Sequence, residues 1–295
     1  MNEHVWLAEH FEAERPHLRA VAYRMLGSLA EAEDAVQETW LRLSHSDIST
    51  VSNLGGWLTT AVARVCLNML HARKSRGEES LEASVPVSIT SRDGGIDPEE
   101  EAELADSVGL ALLVVLDKLS PAERLAFILH DIFAVPFDEI APIVERSPTA
   151  TRQLASRARH RVRGSAMVQD ADLASQREVV DAFLAASREG SFDALLAMLD
   201  PDVVVRADRV AVSRGAAREI RGAQAVARVA RHYLLGRAQF AQPVLVDGTV
   251  GVVVAPRGRL LFLLRLMIRG GKIAEIEAIA DSAHLHQMRL AVPDD

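Results

Sequence analysis

The sequence predicts a multidomain protein, two all-helical modules followed by an α+β domain, and three features carry that prediction. From Leu119 to Arg163, LSPAERLAFILHDIFAVPFDEIAPIVERSPTATRQLASRARHRVR alternates helical stretches with short turns. Between Ser75 and Glu103, upstream of it, apolar periodicity disappears. Beyond Val203 the apolar residues fall into short strand-like runs separated by turn dipeptides. A chain of 295 residues is long for a single core and suits two or three domains.

Composition narrows the class. Apolar residues make up 49% and charged residues 25%, an ordinary globular balance. A net charge of -8 argues against a protein that coats nucleic acid indiscriminately. It leaves room for a local basic site, because screening confines charge effects to about 10 Å. The single cysteine, Cys66, sits in a helical pattern beside Val62, Val65 and Met69. It reads as a small buried apolar residue, without a disulfide partner or metal-ligand spacing, so no metal or cofactor is expected. The opening MNEHVWLAEHFEAERPH lacks the apolar core of a signal peptide. The longest apolar run, Leu260 to Ile268, is interrupted by Arg265 and too short to span a bilayer. The expectation is a cytoplasmic protein with no membrane partner.

Residues 5 to 43 read as two helices. Phe11, Leu18, Val21, Ala22 and Met25 mark the inner face of the first, and Gly27 ends it. Ser28 with Glu31 forms a capping box for the second, whose inner residues are Ala32, Val36, Trp40 and Leu43. Asp34, Gln37, Glu38 and Leu41 make a separate stripe on that helix. It is either a solvated acidic face or a docking face for an Arg-rich partner. After the polar loop SHSDISTVSNLGG, a third helix runs from about Gly56 to Lys74 over a core stripe of Leu58, Ala61, Val62, Val65 and Met69. Trp57, Thr60, Arg64, Asn68 and His71 share its other side, suited to base edges or an unstacked strand, or simply to solvent.

The acidic segment up to Glu103 reads as a linker, since it has too little apolar surface to offset its ordering entropy. Ala105 to Leu116 is then a helix packed on the unit that follows. Ser120-Pro121-Ala122-Glu123 supplies a cap hydroxyl, proline at the first helical position and a carboxylate that reaches back. Leu125, Ile128, Leu129 and Ile132 continue that helix, and Phe137, Ile140, Ala141 and Val144 mark a second. Glu145-Arg146-Ser147-Pro148 breaks the chain and caps a third. Thr151, Leu154, Ala155, Ala158 and Val162 form its docking stripe; Arg152, Gln153, Ser156, Arg157 and His160 face elsewhere, with Arg159, Arg161 and Arg163 near the end. No acidic residue occurs from Arg146 to Arg163. Helix, short turn and a donor-rich basic helix describe a helix-turn-helix whose second helix enters a major groove.

Past Gly164 the texture changes. Val179, Phe183 and Ala186 mark a helix up to Gly190, and Phe192, Leu195, Leu196 and Leu199 mark another, stopped by Asp200-Pro201. A strand at Val203 to Arg209 and a helix at Gly222 to Leu235 follow, the helix carrying Val226, Val229, Ala230 and Tyr233 inward. Strands are expected at Phe240 to Val246, Val250 to Ala255, Arg259 to Ile268 and Ile273 to Ile279. Turns at Asp247-Gly248, Arg257-Gly258 and Gly270-Gly271 join them into a curled antiparallel sheet, a cone with a cavity. Asp208, His232, Tyr233 and Arg265 are the candidates for a general acid or base there. No acid–base pair stands at a defined spacing, so no catalytic residue is assigned.

Four segments carry a resemblance. AYRMLGSLAEAEDAVQETWLRL, GGWLTTAVARVCLNMLHARKSR, LSPAERLAFILHDIFAVPFDEIA and SPTATRQLASRARHRV, in that order, resemble regions two and four of bacterial extracytoplasmic-function (ECF) sigma factors, over Phe11 to Arg163. The resemblance implies a non-enzymatic promoter-specificity subunit, its partners being RNA polymerase core (β′ clamp helices and β flap) and promoter DNA. By position it places Asp34, Gln37, Glu38 and Leu41 against the polymerase and Asn53, Trp57, Thr60, Arg64 and Asn68 on the −10 element. Arg152, Gln153, Ser156, Arg157, Arg159 and His160 fall on the −35 element. The order of elements over Leu173 to Leu290 resembles the SnoaL/NTF2-like domains fused to one group of these factors; the fusion and the long linker suggest control in cis, with the cone as a candidate place for a small-molecule ligand.

The expected division is region two at 1–75, a flexible acidic linker at 76–104, region four at 105–164, a connection at 165–172 and the cone at 173–290. Two departures from the family, and two from its fused group, stand out. Glu145 occupies a turn position where glycine is usual, and Pro142 falls inside the scaffold helix. Ser84-Val85-Pro86-Val87 and Ser213-Arg214-Gly215-Ala216 stand where the fused group carries a WLPEP-like linker and Gly-rich motifs. Two rival readings remain, a ligand-sensing helix-turn-helix regulator independent of polymerase and a small-molecule isomerase or hydrolase.

Overall fold

Helix α1 (Glu3–Leu26), α2 (Leu29–Ser44) and α3 (Leu54–Arg76) open a computed structural model that describes residues 3–46, 51, 53–76, 109–163, 170–212, 217–234, 237–256 and 260–293. Apart from Arg76, which ends α3, the predicted linker and both motif-replacing tetrapeptides lie outside the described residues. The three helices pack on one another as a bundle. All five residues expected on the inner face of α1 are buried. Gly27, at φ 73°, takes the left-handed conformation that a helix end favours and returns its N–H to the Tyr23 carbonyl at 2.8 Å. The Ser28 hydroxyl caps α2 by accepting from Glu31 N–H. The Glu31 carboxylate is held by Arg73 of α3. In α3, Leu58, Val62, Val65 and Cys66 are buried as expected and Ala61 and Met69 only half-buried, while Ala63, Leu67 and Leu70 are buried as well. A helix packed against α1, α2 and the next segment is enclosed on more than one side, which a single stripe does not anticipate.

Helix α4 (Leu110–Asp117) precedes α5 (Pro121–Phe127), which passes directly into a π turn at Ile128–Ile132. Both halves of the Ser120–Glu123 capping box form. Helix α6 (Phe137–Ile140) ends before Pro142, so the proline terminates the helix and does not break one. Glu145 has φ 54°, the strained conformation its position suggests. Helix α7 (Pro148–Arg163) follows.

The C-terminal region begins with α8 (Asp170–Glu189) and α9 (Phe192–Met198). Then come β1 (Leu199–Ala207), β2 (Glu219–Arg221), α10 (Ala223–Leu234), β3 (Ala241–Val246), β4 (Thr249–Val254), β5 (Phe262–Arg269) and β6 (Lys272–Ile279). Helix α11 (Ser282–Gln287) and β7 (Leu290–Ala291) close it. Among the described residues, seven strands form one sheet in the order β2-β1-β6-β5-β4-β3-β7. The expected all-antiparallel arrangement is corrected in one place, because β1 runs parallel to β6. Parallel neighbours need a long crossover, which α10 and the β3–β5 meander supply. Leu199 belongs to β1, not to the preceding helix. Val250, Val252, Val254, Leu264, Leu266 and Ile276 of the sheet pack against Val180, Phe183 and Leu184 of α8 and Val226 and Ala227 of α10. The C-terminal region is an α+β fold, one mixed sheet covered by α8 and α10.

Among the described residues, the chain gathers into two compact units whose border crosses two helices. One holds α1 to α3, the end of α4, and α5 through Arg159 of α7; the other holds α4 through Val115, the last turn of α7, and α8 onward. Within the second unit, Ala111 N–H donates to Gln242 Oε1 at 3.0 Å, and Val292 N–H donates to the Val162 carbonyl at 2.8 Å.

Candidate nucleic-acid interface

The presentation of α7 starts from its cap. The Ser147 hydroxyl accepts from Ala150 N–H at 3.2 Å, while the Ser147 carbonyl accepts from the Thr151 N–H and hydroxyl. That end fixes the rotation of the helix. Thr151, Ala155, Ala158 and Val162 are buried, and Arg152, Gln153, Ser156, Arg157 and His160 are exposed, with Arg159 between. The helix-turn-helix expectation therefore corresponds to an exposed basic, amide- and hydroxyl-bearing face.

Three arginines on that face are tied back to the scaffold. Arg157 donates from Nε to Glu123 Oε1 at 3.1 Å. Arg159 pairs with Asp131 at 3.0 Å. The Arg152 guanidinium lies 5.3 Å from the centre of the Phe137 ring, which stacks in turn on His130 at 3.8 Å. In the sequence these arginines read only as DNA contacts, and Glu123 only as a cap. Only its place three residues after Ser120 marked it.

On α3, Arg64 and Asn68 are exposed, and Trp57 and Thr60 are half-buried along the same side. Asn53 is also a cap, since its Oδ1 accepts from Gly56 N–H at 3.0 Å. A Cβ at position 56 would stand 2.8 Å from Asn53 Nδ2, so glycine permits that close approach. On α2, Asp34, Gln37 and Leu41 are exposed, and Glu38 takes an ion pair from Arg42 at 2.9 Å. Leu41, at 48% exposure, is one of three large apolar side chains that stand open among the described residues. An acidic rim around an exposed leucine suits a basic partner with an apolar centre.

Helices α1 and α5 meet through Arg124, which is 5% exposed. It donates to the Met25 carbonyl at 2.8 Å and to Asp117 Oδ1 at 2.9 Å. Beside it, the Phe133 ring receives His17 edge-on at 5.1 Å and Arg24 at 5.3 Å. Neither Arg124 nor Phe133 stood out in the sequence, where both lie within an apolar helical run.

Two of the acid–base candidates of the C-terminal unit, Asp208 and Arg265, are engaged in structural contacts. Asp208 accepts backbone N–H groups from Val210, Ala211, Ala280 and Asp281. Burial pushes its carboxyl up, but these four donors together hold it below the usual value. Arg265 pairs with Glu277, and His232 is exposed. The side chain of Tyr233 lies outside the described residues. A cavity of about 540 Å³ lies where α9, β1 and the start of α10 meet, lined by Leu196, Leu199, Arg221, Gly222, Arg228 and Lys272. Among the described residues, no group of three or more His, Cys, Asp or Glu could hold a metal ion, and no helix is long and apolar enough to cross a membrane.

Fold and surfaces together define a modular protein with an exposed basic, amide-bearing helix face in one module and an acidic face around Leu41 in another. Residues 10–76 match the family Sigma-70 region 2, and residues 109–162 match Sigma-70, region 4. The chain is 35% identical over 287 residues to the ECF RNA polymerase sigma factor SigJ of Mycobacterium tuberculosis, covering 92% of this chain and 90% of that protein. It is 32% identical over 291 residues to the probable ECF RNA polymerase sigma factor SigI of the same species, covering 98% of each. A crystal structure of M. tuberculosis SigJ aligns with TM-score 0.45 at 33% identity, covering 93% of this chain and 96% of that one. The chain belongs to the ECF RNA polymerase sigma factors. As a sigma factor it binds RNA polymerase core and promoter DNA.

Proposed function

We propose that this chain directs cytoplasmic RNA polymerase to promoters by dividing the work between two weak readers. Asp34, Gln37, Glu38 and Leu41 dock on the β′ clamp helices. Asn53, Trp57, Thr60, Arg64 and Asn68 engage the −10 element. Arg152, Gln153, Ser156, Arg157, Arg159 and His160 engage the −35 element, with region four resting on the β flap. The domains at 1–75, 105–164 and 173–290 act as three functional parts, whatever their packing. The observation that carries this reading is α7, capped and rotated so that Gln153, Ser156 and Arg157 face outward. A bidentate base contact discriminates by roughly 1–3 kcal/mol, so neither reader suffices alone and the core enzyme must hold both. The protein acts by binding and not by chemical turnover, which the engagement of Asp208 and Arg265 in structural pairs supports.

The test is transcription in vitro with purified core enzyme and a promoter library. The wild-type chain should select a discrete promoter class, and Asp34→Lys with Glu38→Lys should lose core binding in pull-down. A wild-type chain that fails to associate with core enzyme would overturn the proposal.

A second element of the reading is control in cis. The Arg124–Met25 and Phe133–His17 contacts support a resting form in which region two and region four are held together, too close to span two promoter elements. Core enzyme, or a ligand in the C-terminal unit, shifts the chain away from that form.

A further inference from the structure

The contact that points furthest beyond the sigma-factor reading is the one between Glu123 and Arg157. Glu123 belongs to α5, away from the exposed face of α7, and is 5% exposed. Its Oε2 accepts from the Ser120 N–H at 3.3 Å and the Ser120 hydroxyl at 2.8 Å. The cap therefore holds one oxygen of the carboxylate and leaves the other for Arg157. Oε1 then accepts Arg157 Nε–H at 3.1 Å, while the Arg157 side chain remains 54% exposed. A guanidinium carries five N–H donors in a planar fork. Using Nε for the protein leaves the terminal amino groups to meet the O6 and N7 acceptors of a guanine edge.

We infer that Glu123 is a positioning residue for promoter recognition: it locks the Arg157 fork in orientation so that region four discriminates at one base pair of the −35 element. An exposed arginine loses considerable rotamer freedom when it binds, and one already held loses less. A charge-assisted bond is strong enough to hold the side chain in place. The adjacent arginines are steadied differently, Arg152 by the Phe137 ring and Arg159 by Asp131. Glu123 thus links the cap of one helix to the reading edge of the next. This inference rests on the assignment of α7 to the −35 element.

The test uses the full chain assembled with core polymerase and a pool of promoter duplexes randomised over the −35 element. Four variants separate the roles. Glu123→Gln keeps a capping-box side chain but removes the charge. Glu123→Asp keeps the charge but draws the carboxylate back. Ser120→Ala weakens the cap while leaving the Glu123–Arg157 pair. Arg157→Ala removes the reader. Glu123→Gln and Glu123→Asp should each reduce discrimination at the base pair that Arg157→Ala identifies, by roughly fivefold, with preferences at other positions and core affinity unchanged. Ser120→Ala should lower the melting temperature and reduce discrimination at that same base pair by less than Glu123→Gln does, because the Ser120 N–H still holds Oε2, and Glu123→Gln should add nothing in an Arg157→Ala background.

The inference is overturned if both Glu123 variants weaken all −35 sequences equally, or if they act equally with and without Arg157. It also fails if Arg157→Ala alters no base preference in an active holoenzyme. A wild-type chain that yields no holoenzyme would instead refute the functional proposal on which the inference stands. Should Glu123→Gln not fold, the Glu123→Asp profile and the Arg157→Ala comparison decide the matter.

Discussion

At the scale of single residues, this protein spends side chains on more than one task. Asn53 caps α3 while standing at the start of the proposed −10 surface, and Glu123 caps α5 while holding Arg157. Glu145 shows the opposite, a position where the residue type works against the conformation. Its φ of 54° costs a non-glycine residue about 1 kcal/mol or more. Glu145→Gly should therefore raise stability by about 1 kcal/mol, measured as a higher denaturation midpoint at unchanged slope. Asp208 sets a pH dependence whose sign is determined. Its carboxyl lies below the ordinary value of 3.8, so folding favours the ionised form. That contribution is complete above the unfolded-state pKa and is lost as pH falls through the lowered folded-state value. Replacing Asp208 with Asn should cost about 1–2 kcal/mol at neutral pH, moderated by its partial exposure. Denaturation measured from neutral to acid pH should show the variant and the wild type converging as the carboxyl protonates.

Elements here are set by their ends and their close approaches. Helix α7 owes its rotation to Ser147, and α5 owes its start to a reciprocal box with Glu123. The sheet depends on Gly251 in a similar way. A Cβ there would stand 2.7 Å from the Leu264 carbonyl oxygen and 2.9 Å from Val246 Cγ2. Backbone in a neighbouring strand gives way only if β4 parts from β5, so Gly251→Ala should destabilise by about 1–3 kcal/mol. Thermal unfolding followed by circular dichroism checks this, and a neutral result would mean that the ladder yields more readily than its packing suggests. The unit border through α4 and α7 has a practical consequence. Leu110, Ala111, Leu113, Val114 and Val115 are buried, and the α4 backbone is bonded to Gln242. Removing the C-terminal region would expose this apolar helix, so functional tests belong on the full chain.

For the molecule as a whole, the proposed control in cis makes the balance between a closed resting form and one opened by the polymerase the quantity to measure. Arg124, almost fully buried, satisfies the Met25 carbonyl at the end of α1, and Phe133 fills the space beside His17 and Arg24. Phe133→Ala removes packing from this contact without leaving a charge unpaired. If the closed form restrains activity, the variant should transcribe several-fold more than wild type at limiting core enzyme. Labels on α2 and α7 should also report a larger separation in the free chain by energy transfer. Equal transcription and equal transfer efficiency would remove the proposal of control in cis. The net charge of -8 acts in the same direction, since it opposes DNA binding by the chain alone until the core enzyme presents its basic faces locally.

The order of helices, the two caps at Ser28 and Ser120, the exposed face of α7 and most strands of the cone were legible in the sequence by itself. Each follows from periodicity or from side-chain chemistry within four residues, which is the range over which helices and turns are specified. Only the tertiary structure decided that β1 lies parallel to β6, that α3 is enclosed on several sides and that α4 joins the C-terminal unit. It likewise decided that Arg157 meets Glu123 across 34 residues, that Arg124 reaches Met25 across 99 and that Asp208 binds Ala280 across 72. Such pairings carry no local signature. A charged side chain reads the same in sequence whether water or a buried partner receives it, and only the folded chain brings distant donors and acceptors within hydrogen-bond reach.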